Sequence, residues 1–183
     1  MGWIGEDGGY KAYDRKNYVS LDPRDAFDKI KIYEDQVNGW FLERAAHLVP
    51  IRSDGFIVLM ICVSYLEGVE EYGQGVSSVG RSKEFFRLSI QRIYPDKFTQ
   101  AQIDRLYSQA RCGLFHTGMV KGDVLIDREY SKALEFIDED IKINPEMLLN
   151  DVKNDFKGFI VDLRTSAEAR DKFDRMFSVL PTS

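Results

Sequence analysis

The stretch Gln109–Lys121, QARCGLFHTGMVK, collects the chain's scarcest chemistry-bearing residues. It holds His116, one of two histidines, and Cys112, and it sets Arg111 five positions before the histidine. An imidazole titrates near neutral pH and can move protons to and from hydroxyl groups. A guanidinium keeps its charge and offers a planar fork to phosphate oxygens. The two together suit cleavage of a phosphodiester. The imidazole serves a ribose 2′-hydroxyl or a leaving 5′-oxygen, and the guanidinium neutralises charge on the pentacoordinate phosphate. RNA carries its own nucleophile, so this chemistry calls for no metal, no cofactor and no covalent enzyme residue. DNA lacks the 2′-hydroxyl and is not an expected substrate.

A thiol mechanism competes. Cys112 and His116 are four apart and share a helix face, and a Cys–His pair can supply a nucleophilic thiolate. No orienting carboxylate or oxyanion loop accompanies the pair, so the ribonuclease chemistry is preferred. Cys112 is an auxiliary candidate, and otherwise a small residue at a packed or dimer-facing position. Glu67 is a second auxiliary candidate, because it directly follows a buried apolar run and is placed either to face solvent or to face a site.

The element that must carry these residues begins at Thr99-Gln100-Ala101-Gln102, a capping box. Ile103, Leu106, Tyr107, Ala110 and Leu114 form its apolar stripe, and Gly118 supplies the stop. At about 100° per residue, Arg111 lies on the flank of that stripe and His116 about 140° away from it. The histidine therefore points away from its own core. That leaves three placements open: a plain surface position, a groove, or an interface with another chain. One Arg and one His make a thin site, and two copies across a symmetric dimer double it.

The rest of the chain is mainly helical. Residues 1–20 are rich in Gly and Tyr without a clean period and are expected to form an irregular arm. Asp22 and Pro23 look like a helix start. Phe27, Ile30, Tyr33, Val37, Trp40, Phe41 and Leu48 then mark one long amphipathic helix up to Pro50, with His47 at its end. A second helix, capped by Ser53 and running to about Tyr72, is apolar all round at its centre and is expected to be the most buried. The loop Gly73–Gly80 has glycines, but a helix precedes it and no Gly-Lys-Ser/Thr follows, so it is not a nucleotide phosphate loop. A third helix covers about 82–94 and stops before Pro95. After Gly122, residues 123–126 and 134–143 have strand character with a turn near Asp138-Glu139-Asp140, and Asn144-Pro145 opens a further helix. A last amphipathic stretch covers 167–177. The expected fold is an antiparallel helical bundle of four to five helices, one domain over 21–183, with a small β-hairpin-like insertion before the C-terminal helices.

Composition sets the remaining bounds. At 44% hydrophobic and 13% aromatic residues the chain can build a core and is not a disordered segment. Two cysteines make no disulfide framework, which points to a reducing cytoplasm. The longest apolar run, Phe56–Leu66, is too short to span a bilayer, and no signal pattern opens the sequence, so no membrane partner is expected. The net charge of −5 argues against generic nucleic-acid binding, yet Arg81–Lys121 holds eight Lys/Arg against three acids. That local excess is either an anion footprint or a pair of solvated helix faces. Within it, Arg81, Lys83, Arg105 and Lys121 are candidate substrate contacts.

Arg111-Cys112-Gly113-Leu114-Phe115-His116 is similar to the R-x4-H motif of the HEPN domain superfamily. The sequence around it, RCGLFHTGM followed by a β segment, INP and a helix, resembles uncharacterised bacterial HEPN-like proteins. The resemblance runs from about the second helix through the INP segment. It implies an all-α bundle, a homodimer with the motif at the interface, and metal-independent endoribonuclease activity leaving 2′,3′-cyclic phosphate ends. It implies toxin or defence roles for many members, with an antitoxin or nucleotidyltransferase partner, and a non-catalytic nucleotide-, RNA- or protein-binding role for others. Only Arg111 and His116 carry over as catalytic positions. Active members often have Asn, Asp or His after the arginine, where this chain has Cys112.

Overall fold

The computed structural model describes residues 2–4 and 10–177 and is mainly helical. Strands β1 (Gly2–Ile4), β2 (Tyr10–Tyr13) and β3 (Ser20–Leu21) form an antiparallel sheet in that order. Helices follow: α1 (Ala26–Val37), α2 (Glu43–Leu48), α3 (Gly55–Gln74), α4 (Ser82–Ile93), α5 (Gln100–Leu106) and α6 (Cys112–Thr117). Strands β4 (Val124–Ile126), β5 (Leu134–Ile137) and β6 (Asp140–Ile143) come next, then α7 (Pro145–Thr165) and α8 (Ala167–Met176). Among the described residues no helix is long and apolar enough to cross a membrane.

α3 is the hub. It packs against α2, α4, α7 and α8, and Val58, Leu59, Cys62, Val63 and Leu66 are all buried. Its uniformly apolar centre is what allows contact on several sides. A polar network ties the same helices together. Arg92 on α4 donates to Glu70 on α3 and, through Nε at 2.8 Å, to Asp155 on α7. Tyr65 on α3 donates to the same Asp155 at 2.8 Å. Both carboxylates are nearly buried, and the shared guanidinium, with Tyr65 on Asp155 and with Ser89 and Gln74 on Glu70, keeps them satisfied. Burial, then the charge on Asp155, raises the Tyr65 phenol far above its ordinary value, so it stays a donor.

The sequence-level boundaries hold in several places. The capping box is present: Thr99 accepts from Gln102 N–H and the Gln102 side chain returns to the Thr99 N–H. Gly118 ends α6 at φ 70°, and Asn144 caps α7 with Pro145 in its first turn. β5 and β6 form the hairpin around Asp138 and Glu139.

Other expectations need correction. The segment expected to be an irregular arm contains β1, β2 and β3. It is docked rather than loose: Ala12 is fully buried, and the Arg15 side chain donates to Glu43 at 2.7 Å. The insertion is more than a hairpin, because β4 adds to β6 in parallel and makes the order β4-β6-β5. Asp25, not Asp22, caps the first helix, accepting from Phe27 and Asp28 N–H. Ser53 does not cap α3; it lies in a short 3-10 turn, Arg52–Asp54. The first long helix is not a single α-helix either. A π-helical segment, Asn38–Leu42, joins α1 to α2. The wide turn breaks the 3.6 period and leaves Trp40 and Phe41 half exposed. Phe27, the first residue of the expected stripe, is also exposed and lies under the Arg170 guanidinium.

Candidate functional site

A second π-helical turn, Tyr107–Arg111, separates α5 from α6, with the Cys112 N–H bonded to the Tyr107 carbonyl. Such turns insert a residue into the helical register and re-aim the side chains on them. Arg111 is the last residue of this turn. Its guanidinium reaches α3, where Nη2 donates to Glu67 Oε2 at 2.6 Å, with both side chains mostly buried. It also lies over two rings of its own helix, 5.0 Å from the Phe115 centroid and 5.6 Å from that of Tyr107.

The pair lines a cleft of about 200 Å³ together with Ser64, Gly68, Glu71, Ser78 and Phe115. Ser78 comes from the α3–α4 loop, its hydroxyl donating to Glu67 Oε1 at 2.9 Å and its N–H to Glu71 Oε1 at 2.6 Å. Glu67, kept in sequence as an auxiliary, is thus the direct partner of Arg111. Ser78, Glu71 and Phe115 were not singled out by sequence. The available signals were the i, i+4 spacing of Glu67 and Glu71, which puts both on one face of α3, and a serine pair set between glycines in the next loop.

The His116 side chain is exposed and, among the described residues, takes part in no hydrogen bond or ion pair. It does not meet Arg111 within the chain. Cys112 is half buried and unpaired in a disulfide, and the thiol mechanism gains no bond between Cys112 and His116. Cys112 instead neighbours Tyr107: burial first, then Cys112, holds the Tyr107 phenol above its ordinary value. The other cysteine, Cys62, is fully enclosed, and burial pushes its thiol up to about 12, which makes it an inert core residue.

The basic segment is largely paired. Arg81 bonds Glu84 through Nε and Nη2. Arg87 bonds Asp104 through the same two nitrogens, and Lys83 lies 2.9 Å from Asp104. Arg92 is shared by Glu70 and Asp155. Arg105 is occupied by the β5–β6 turn, with Nη1 on the Asp138 carbonyl at 3.0 Å and Nη2 on that of Asp140 at 3.4 Å. Its guanidinium also lies over Phe136. Lys121 is exposed and has no carboxylate partner among the described residues. Arg81, Lys83, Arg105 and Lys121 are therefore not gathered around Arg111. The first three are engaged elsewhere on the surface.

One difference marks Arg111 out. The other four arginines of the segment give two or more nitrogens to protein oxygens. Arg111 gives one, Nη2. Its Nε and Nη1 make no hydrogen bond among the described residues, which leaves N–H donors for phosphate oxygens. Among the described residues no group of three or more His, Cys, Asp or Glu side chains is placed to hold a metal ion. Compared with known proteins, the chain matches no family model, no curated protein and no solved structure.

Proposed function

We propose that this protein is a metal-independent endoribonuclease of HEPN type, acting as a homodimer in which two copies complete the site. His116 is the general acid–base and Arg111 the phosphate clamp. The observation that carries the reading is the Arg111 guanidinium: held by one nitrogen at a cleft, with the rest of its fork unused, on the same short helical segment as an exposed histidine. Among the described residues the outward His116 side chain has no partner, which suits a site that a second copy completes. On this reading the helices around α3 are the antiparallel bundle of that superfamily. RNA is the substrate, the cytoplasm is the setting, and a toxin or defence role brings an antitoxin or nucleotidyltransferase partner.

The test is incubation of the purified protein with mixed RNAs in EDTA. The expected result is cleavage leaving 2′,3′-cyclic phosphate ends, abolished by His116→Ala and by Arg111→Ala. Absence of cleavage, or its survival in both variants, refutes the mechanism.

A second reading is a non-catalytic module that binds a nucleotide, RNA or a protein. The paired state of the basic segment favours it. So do the large apolar side chains left in solvent, Phe56 and Ile57 of α3, Trp40, Phe41 and Phe115, each 40–50% exposed. Binding without turnover selects this reading.

A further inference from the structure

The α3–α4 loop is not a phosphate loop, but its geometry connects it to Arg111. Gly75 closes α3 at φ 68°, so close to α8 that a Cβ there would lie 2.8 Å from the Lys172 carbonyl oxygen. Only glycine satisfies both the left-handed backbone and that approach. The chain consequently folds back over the end of α3, and Gly80 at φ 74° turns it out again toward α4. Between them the loop is inward at one residue and outward at the next: Ser78 is 7% exposed and Val79 87%. The inward residue is the one bonded to both glutamates.

Resting on the ribonuclease reading, we infer that Ser78, acting through Glu67, is a positioning residue that orients the Arg111 guanidinium for an RNA phosphate. Glu67 has two carboxylate oxygens, one taken by the Ser78 hydroxyl and the other by Arg111 Nη2. With both taken, the carboxylate plane has one orientation, and so does the nitrogen it holds. The Phe115 and Tyr107 rings restrain the guanidinium further. A long side chain that is otherwise free to sample rotamers is thereby pre-organised at the cleft, with its Nε and Nη1 donors unused by the described residues. Without the hydroxyl, Glu67 is free to turn about its terminal torsion, and the fork turns with it.

The experiment compares Ser78→Ala with Ser78→Thr. The alanine removes only the hydroxyl arm, because the backbone N–H bond to Glu71 that anchors the loop remains. Two readouts are followed: steady-state cleavage of an RNA oligonucleotide, and the Arg111 Nε–Hε signal by NMR with and without a non-cleavable 2′-O-methyl oligonucleotide. Ser78→Ala is expected to lower kcat roughly tenfold to a hundredfold with little change in KM, and to shift and broaden the Arg111 signal. Ser78→Thr, which keeps a hydroxyl, restores both. Wild-type kcat and an unchanged Arg111 signal in Ser78→Ala overturn the proposal, as does a threonine variant no better than the alanine. If the wild-type protein cleaves no RNA, the ribonuclease reading falls separately. The Arg111 signal then decides alone, and an unchanged signal in Ser78→Ala overturns the positioning role.

Discussion

Gly113 lies inside the Arg111–His116 segment, and its replacement by alanine sets two physical effects against each other. In a helix interior the change removes backbone freedom from the unfolded chain and should stabilise by about 0.5–1 kcal/mol. The local packing opposes it. A Cβ at Gly113 would lie 2.6 Å from the Met119 carbonyl oxygen, 3.0 Å from the Lys121 nitrogen and 3.1 Å from the Val120 Cα. All three are backbone atoms, so no side chain can swing away. The turn they belong to is itself held, by Lys121 N–H to the Gln109 carbonyl at 2.8 Å and by Thr117 Oγ1 to the Gly113 carbonyl at 2.8 Å. Overpacking of this kind costs about 1–3 kcal/mol. The clash should win, for a net loss of about 1–2 kcal/mol, or about 2–8 °C in melting temperature for a chain of this size. Gly158→Ala is the matched control: it is in the interior of α7, a Cβ there meets nothing within 4 Å, and only the favourable effect remains. Thermal melts of the two variants beside the wild type check the sign. A Gly113→Ala protein that melts at or above the wild type, while Gly158→Ala is stabilised, refutes the claim that this close approach constrains the segment.

Phe173→Ala should cost about 3–5 kcal/mol in urea unfolding, because a fully buried ring that stacks on Phe177 and meets Tyr33 edge-on is what seats α8. Arg105→Ala should lower the melting temperature by loosening the β5–β6 turn and leave RNA affinity in a filter-binding assay unchanged, since its Nη1 and Nη2 are spent on the protein and its Nε is buried. Asp104 adds a pH dependence: hydrogen bonding to Arg87 first, and then to Lys83, holds its carboxyl below the ordinary 3.8. Its stabilising contribution is therefore full above that value and is lost as pH falls through the lowered folded value. Melting temperatures taken between about pH 5 and pH 2 should fall less steeply for Asp104→Asn than for the wild type.

Much of the fold was legible because it rests on local rules. The Thr99–Gln102 box, the Gly118 stop, the Asn144-Pro145 start and the Asp138–Glu139 turn each declare themselves within four residues, and each is present. Of the stripe Ile103, Leu106, Tyr107, Ala110 and Leu114, all but Tyr107, which is half buried, are buried as their spacing requires. The π-helical turns were not legible. A wide turn has no distinct composition, and both interrupt sequences that look like continuous α-helix. That is why a 3.6 period assigns Trp40 and Phe41 to the apolar stripe, and why it does not give the direction of Arg111. The strands of the first twenty residues were hidden for another reason: their pairing is between segments, and a Gly- and Tyr-rich composition does not announce it.

By itself the sequence determined that the chain is mainly helical, where most helices start and stop, and which residues have the types to act on a phosphodiester. These are properties of a residue and its near neighbours along the chain. Only the tertiary structure decided what those residues are paired with. Arg111 and Glu67 are forty-four positions apart, and they meet because α3 is apolar enough to become the hub against which the other helices pack. The same packing spends most of the basic segment on intramolecular pairs and leaves Arg111 with donors that the described residues do not use. A charge count along the chain cannot show this, because electrostatic effect depends on distance in space, and that distance is set by the burial of apolar surface.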